Sequence, residues 1–453
     1  MAEIFPFRAW HYDTTKVSLA DVLTQPYDKI TPAMQDRYYA ASPFNLIAVE
    51  KGKRLPGDDN DAENVYSRAA AKLEEWIRAG ILQQDTAPSV YVYAQEFMPP
   101  GSKNRQSRRG FIALACLEDY AAGVVFCHEK TLSAPKADRL DLLSRTRTQT
   151  GQLFMLYDDR AGEIEPLLAE AQRRPATGDF HDEYGIRHQI WPVSEPTVVA
   201  RFVVAMARKK LVIADGHHRY ETALAYRDAC RAEAGRIDLS APYEKAMMTF
   251  FCDSAPGLVI LATHRVLRNL PDFDPAQFHE KLRQWFVEFC FPFNSATERS
   301  ASYETFRREL QARRPEHVIG IYAGDGAFSL FRLRPGVSLT DGALERLFED
   351  LSPAERQLDV VLLHRLIIGE CLGITAEAVV RESYITYERE MDAAIAAVDR
   401  GEAQLACLLN PVTVTQVVEM ALTGVVLPQK STDFYPKLLS GLAIYRLDGN
   451  VKK

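Results

Sequence analysis

The stretch Lys210-Leu-Val-Ile-Ala-Asp215-Gly216-His217-His218-Arg219-Tyr220-Glu-Thr-Ala-Leu224 decides how this chain is read. Leu211 to Ile213 are consecutive apolar residues, two of them β-branched, which predicts a buried strand. Asp215-Gly216 breaks it, and from Tyr220 onward Leu224 and Tyr226 recur at helical spacing among Ala, Arg and Asp. The motif therefore belongs on a strand-to-helix turn. Free backbone N–H groups and the positive end of the helix dipole meet two imidazoles and a guanidinium there, a setting for an anion and above all for phosphate. A metal reading of the paired histidines is weaker, because adjacent side chains diverge and neither His-x-x-x-His nor Cys-x-x-Cys spacing accompanies them.

Upstream, Val124-Val-Phe-Cys-His128-Glu129-Lys130-Thr131 reads as a short strand that ends abruptly in His-Glu-Lys. Pro135 opens a helix over Asp138–Ser144, a polar loop spans 146–151, and Gln152–Tyr157 is a further strand. A carboxylate at a strand exit, beside a basic neighbour, makes Glu129 a candidate general base. Downstream, Lys245–Cys252 and Leu258–Ala262 predict strands, the second of which ends in Thr263-His264-Arg265. Far along the chain, Leu427-Pro428-Gln429-Lys430-Ser431-Thr432-Asp433-Phe434-Tyr435-Pro436-Lys437 places two lysines and two hydroxyls after an X-Pro turn. It has the composition of a phosphate cradle without the spacing of a P-loop, and a plain surface turn is the alternative.

The remaining segments supply scaffold. Gln25-Pro-Tyr27-Asp28 is either a pocket lining or an Asx turn, and Leu46–Val49 reads as a short strand after Ser42-Pro-Phe-Asn45. Asp61 is expected to cap a helix running to Ala79. Val90–Phe97 and Gly110–Tyr120 predict a hairpin with a basic tip over 98–109. Lys103, Arg105, Arg108 and Arg109 there are either solvated or meet a phosphate or acidic partner. A helix near Glu163–Arg173 and a polar stretch to His188 precede a helix over Pro196–Ala207. Beyond 270, amphipathic helices (Pro275–Phe286, Tyr303–Ala312) and strands (His317–Tyr322, Ala327–Leu333) carry no catalytic grouping.

A chain of 453 residues predicts two or three domains, and 47% hydrophobic with 25% charged residues is the balance of a globular protein with a sizeable core. A net charge of −7 argues against nonspecific nucleic-acid binding by the whole surface. Seven scattered cysteines read as reduced core thiols. With neither a signal-peptide pattern nor an apolar run of spanning length, the expectation is a soluble, cytoplasmic protein.

Asp215-Gly-His-His-Arg219 resembles the signature of the superfamily that includes ParB-type nucleotide-binding domains, sulfiredoxin and the free-serine kinases, with the serine-kinase branch the nearest in motif. The resemblance implies a catalytic core of that kind over about 120–270, with Glu129 in the position of the kinase base. Nearly end to end, the chain also resembles a large bacterial and archaeal domain-of-unknown-function family. Its marks here are Gln25-Pro-Tyr-Asp28, Ser42-Pro-Phe-Asn45, His128-Glu-Lys-Thr131, Ala214–Thr222, Thr263-His-Arg265 and Lys430–Lys437.

The fold expected is α/β with a mixed α+β sheet: an N-terminal region, 1–270, and a C-terminal α+β region, 271–453, packed on it and closing on the site through 427–441. The function expected is a small-molecule phosphotransferase, with free L-serine the leading acceptor and ATP, ADP or pyrophosphate as donor with Mg²⁺. Glu129, Asp215, His217 and His218 would be catalytic. Gly216, Arg219, His264, Arg265, Lys430, Ser431, Thr432 and Lys437 would bind phosphate or substrate. Small-molecule substrate and donor would be the partners, without membrane or nucleic acid, a homodimer being left open. The rival readings are a nucleotide-binding regulatory or DNA-associated ParB-like module, and a metal-dependent phosphohydrolase using His217, His218 and Asp215.

Overall fold

The structure, a computed structural model, describes residues 2–447 apart from 59, 61, 130–132, 340, 341 and 429. The chain forms two compact units. The first holds residues up to Val259 and those from Phe434 onward, and the second holds Ile260–Asp433.

The first unit is built on a nine-stranded sheet: β1 (Ile4–Phe5), β2 (Val90–Phe97), β3 (Gln106–Cys116), β4 (Val125–Phe126), β5 (Leu153–Tyr157), β6 (Gly178–His181), β7 (Arg187–Val193), β8 (Leu211–Asp215) and β9 (Lys245–Cys252). Their order is β4-β8-β5-β9-β3-β2-β7-β6, with β1 also pairing β3. The sheet is mixed, as expected: β8 runs parallel to β4 and antiparallel to β5, and β9 runs parallel to β5 and antiparallel to β3. All of β5 is buried, and it reads as a continuous apolar run rather than an alternation; nearly all of β2 is buried too, the polar Gln95 included. Phe111 anchors the core, its ring centroid 5.0 Å from both Phe250 and Phe202. Phe202 comes from the helix Pro196–Met206, whose proline at the first turn starts it where an N–H is dispensable.

The second unit carries a six-stranded sheet: β10 (His264–Leu267), β11 (Phe286–Pro292), β12 (Val318–Tyr322), β13 (Ala327–Leu333), β14 (Ile385–Glu388) and β15 (Leu405–Leu408). The order is β11-β13-β12-β15-β10-β14, antiparallel throughout. Alternate residues serve two apolar clusters: Leu405 and Cys407 join Phe286 and Ile367, whereas Ala406 and Leu408 join Phe306 and Phe328.

Several local expectations give way. Residues 46–49 are not a strand; Ile47–Glu50 is a helical turn, and just ahead of it Asn45 Oδ1 accepts from the Ile47 N–H at 2.9 Å. The helix expected from residue 61 starts at Val65 with Asn64 as its cap, and Asp61 lies outside the described residues. The polar stretch before His188 holds β6 and starts β7, and Phe286 begins β11 rather than ending a helix. β3 begins at Gln106, so Arg108 and Arg109 belong to a strand, not to a hairpin tip. His264 and Arg265 start β10 instead of trailing a strand, and both are buried. Among the described residues no helix is long and apolar enough to cross a membrane.

Candidate functional site

β8 delivers Asp215 to the edge of the first sheet, and the helix His217–Ala234 starts two residues later. The turn between them needs Gly216. Its φ is +99°, and a Cβ there would lie 3.0 Å from Leu153 Cδ2 and 3.1 Å from Arg219 Nη2. One turn into the helix, Arg219 reaches back to Asp215 Oδ2 at 2.8 Å and donates to the Gln152 carbonyl. Lys437 arrives from a remote part of the chain and donates to Asp215 Oδ1 at 2.5 Å. Each carboxylate oxygen thus holds one cation. Burial alone would raise the Asp215 pKa, but the Lys437 ammonium and then the Arg219 guanidinium outweigh it and hold it well below the usual carboxylate range.

What holds Lys437 is a buried arginine. Arg108 is 1% exposed, and donates to the Tyr435 carbonyl at 3.0 Å and to the Pro436 carbonyl. Gln95 Oε1 accepts from Arg108 Nε at 2.8 Å, and Gln95 Nε2 donates to the Lys437 carbonyl at 3.0 Å. Three successive carbonyls are therefore pinned, the first two by Arg108 and the third by Gln95. The guanidinium also lies over Phe154 at 4.7 Å and Phe251 at 5.0 Å. Burial pushes its pKa down to about 9.

His217 and His128 form a buried pair, their rings edge to face with centroids 4.6 Å apart. His128 Nδ1 lies 2.7 Å from the Ile213 carbonyl, so that nitrogen must carry the proton. The His128 backbone N–H donates to His217 Nε2 at 3.4 Å, which makes Nε2 the unprotonated nitrogen of His217. Burial lowers the His128 pKa to about 4 and takes that of His217 well below its usual value, helped by the neighbouring His128. Both rings are neutral near pH 7, so the positive charge around Asp215 comes from Lys437 and Arg219 rather than from this pair.

A pH dependence follows. The unfolded chain takes up protons near pH 6.5 that the buried imidazoles refuse, so stability falls as pH drops from about 6.5 toward 4. His128 alone is worth about 3 kcal/mol across that window. In urea unfolding at about pH 7 and about pH 4.5, wild type should lose more stability than His128→Asn, which keeps a donor near Nδ1. Equal losses would mean that His128 titrates freely in the fold.

Glu129 follows His128 at the exit of β4 and is half-buried; Lys130 and Thr131 lie outside the described residues. His218 is half-buried on the first turn of the motif helix. Beside this turn a cavity of about 70 Å³ is bounded by Glu50, Arg139, Thr150, Gly151, Arg219 and Thr222. Glu50 is buried and accepts hydrogen bonds from the Thr150 and Ser440 hydroxyls. Arg139 donates to the Glu50 carbonyl at 2.7 Å and lies 4.4 Å over the Tyr27 ring.

The first unit holds Glu129, Asp215, Gly216, His217, His218, Arg219 and Lys437, of which Asp215, Arg219 and Lys437 are in direct contact. His264, Arg265, Lys430, Ser431 and Thr432 belong to the second, since the stretch 427–441 divides at Asp433. Lys430 is exposed and Ser431 is buried against the Pro428 carbonyl, to which it donates at 2.5 Å. The sequence pattern did not point to Gln95, Glu50 or Arg139, and it placed Arg108 in a basic hairpin tip rather than in a buried strand. For Arg108 one signal existed: it shares a strand face with Gly110 and Ile112, both buried. Among the described residues no three His, Cys, Asp or Glu side chains group to hold a metal, and both Asp215 oxygens already face cations. These residues do not fit a resident metal ion.

A family model described as "Protein of unknown function (DUF1015)" matches residues 4–361, and the chain belongs to that family. No curated protein matches it. Among solved structures, the chain is similar to a conserved hypothetical protein from Pyrococcus furiosus, at 11% identity and TM-score 0.32 over 72% of this chain and 92% of that one. A free serine kinase in complex with AMP matches at 13% identity and TM-score 0.32, over 70% of this chain and 89% of that one. SbnI from Staphylococcus aureus, truncated at its C-terminus, matches at 10% identity and TM-score 0.31, over 73% and 85%.

Proposed function

We propose that this DUF1015 member is a phosphotransferase that moves a phosphoryl group onto the hydroxyl of a small metabolite, with free L-serine the leading acceptor. One observation carries the reading: a carboxylate, Asp215, holds two cations, Lys437 and Arg219, at the start of a helix whose motif resembles that of the free-serine kinases. Phosphoryl transfer needs charge neutralisation and alignment more than covalent help. In this reading the two cations and the first-turn N–H groups receive the phosphate oxygens. Asp215 fixes the cations beforehand, so they need not reorganise as charge develops. Glu129 accepts the proton of the attacking hydroxyl. The neutral ring of His217 orients by hydrogen bonding rather than by charge.

The small cavity suits the acceptor. Arg139, held by Asp138 and the Glu50 carbonyl, lends positive charge to it for an α-carboxylate, and Glu50 offers an acceptor for an ammonium group. Mg²⁺ would enter on the phosphates of a nucleotide, its usual way of binding where carboxylates are few. The ParB-like identity of the core and the donor (ATP, ADP or pyrophosphate) belong to the same proposal.

The test is direct. The purified chain is incubated with L-serine, L-threonine or L-homoserine and each donor in turn, and products are read by mass spectrometry. O-phosphoserine is the expected product. Phosphate release from the donors without any phosphorylated acceptor would replace this reading by hydrolysis.

A further inference from the structure

We propose that the second unit carries its own binding site for a small oxyanion-bearing ligand, in the cavity at the end of its sheet where β10 and β12 begin and β15 finishes. β15 is antiparallel to both β10 and β12, which puts those three termini side by side. The cavity has a volume of about 250 Å³, and every residue lining it lies between 263 and 431, within that unit. It is thus a site of its own and stands independently of phosphoryl transfer by the first unit.

The lining is cationic. Arg265 enters from the second residue of β10 and is 1% exposed, its guanidinium donating to the Thr263 and Lys430 carbonyls. Arg314 enters just before β12 and is fixed by a 2.6 Å hydrogen bond to the Pro411 carbonyl. His317 lies 3.1 Å from Asp359 Oδ1 through Nδ1 and 3.0 Å from Gln357 Oε1 through Nε2. Both partners are acceptors, so the pair of bonds favours the doubly protonated ring, and the hydrogen bond to Asp359 raises its pKa. His317 takes up this position at φ +53°, a left-handed conformation that a residue with a Cβ adopts at a cost.

Two guanidiniums and an imidazole whose hydrogen bonds favour its protonated form therefore share the cavity with the single carboxylate of Asp359. Placing like charges together in a partly enclosed space is unfavourable unless an anion joins them. Arginine forks match both phosphate and carboxylate oxygens. The ligand class is a small molecule bearing such a group, phosphorylated or carboxylic, of a size set by the cavity.

The experiment uses the full chain carrying Lys437→Ala, so that an anion at the first unit's cluster is disfavoured. Isothermal titration calorimetry with inorganic phosphate, and separately with malate, reads binding. Adding Arg314→Gln should weaken binding by about ten- to a hundredfold, the weight of a charge-assisted contact. His317→Gln, which keeps polar contacts and removes the charge, should weaken it as well. Tighter binding of phosphate assigns the site to phosphorylated ligands, and tighter binding of malate assigns it to carboxylates; either supports the proposal. No binding of either anion to the Lys437→Ala chain would overturn it, as would equal affinity with and without the Arg314 and His317 substitutions.

Discussion

Lys437→Ala is expected to lower kcat/KM for the proposed phosphoryl transfer by roughly 10²–10³-fold, the loss seen when one preorganised electrostatic donor is taken from a transition state. The lysine side chain is only 9% exposed and sits on Asp215 at 2.5 Å, so the site loses a fixed charge, not a mobile surface one. Asp215 would keep Arg219 as its remaining cation, and its carboxyl pKa would rise because burial is then opposed by less positive charge. The sign matters for stability. In wild type the depressed carboxyl contributes stability above its unfolded pKa near ~4, and loses it as pH falls through the folded value. The variant should therefore be less stable at neutral pH and flatter in its acid limb. Steady-state kinetics and thermal melts from neutral to acid pH check both parts. Wild-type turnover in Lys437→Ala would remove the lysine from the site.

Glu129→Gln is expected to cost about 10²–10⁴-fold in kcat, since it keeps the side chain's shape and removes the proton acceptor. Affinity for the phosphoryl donor should hold, because in this reading the base touches only the acceptor hydroxyl. Calorimetric titration with ATP, ADP or pyrophosphate, alongside the rate, separates the roles. A variant that binds the donor as weakly as it turns over would place Glu129 on the phosphates or on an ion they carry.

Some of this was legible in the residues alone, and the reason is locality. Leu211 to Asp215 could be read as a strand and His217 onward as a helix because each period is written within a few neighbours. Gly216 between them announced a turn, and its φ of +99° is the conformation glycine tolerates best. His128-Glu129 at the end of an apolar run was legible for the same reason, and nearly end-to-end likeness pointed to the family. Where local signals competed, reading failed. The run Leu46 to Val49 has the composition of a strand, yet Ile47–Glu50 is helical, with Asn45 Oδ1 accepting from the Ile47 N–H just ahead of it.

The tertiary structure alone decided the charges and contacts of the site. Lys437 and Asp215 are 222 residues apart, and no periodicity connects them. They meet because Arg108 and Gln95, from two adjacent strands, pin the carbonyls of 435 to 437. Arg108 in sequence is one of several basic residues near a loop; its burial among Phe154 and Phe251 follows from where the sheet order places β3. The protonation of His128 and His217 is likewise a product of burial, which no sequence pattern states. Sequence named Asp215, Arg219 and Lys437 as candidates without relating them to one another. The fold chose which are charged and which cations stand together, because desolvation and ion pairing depend on neighbours in space rather than along the chain.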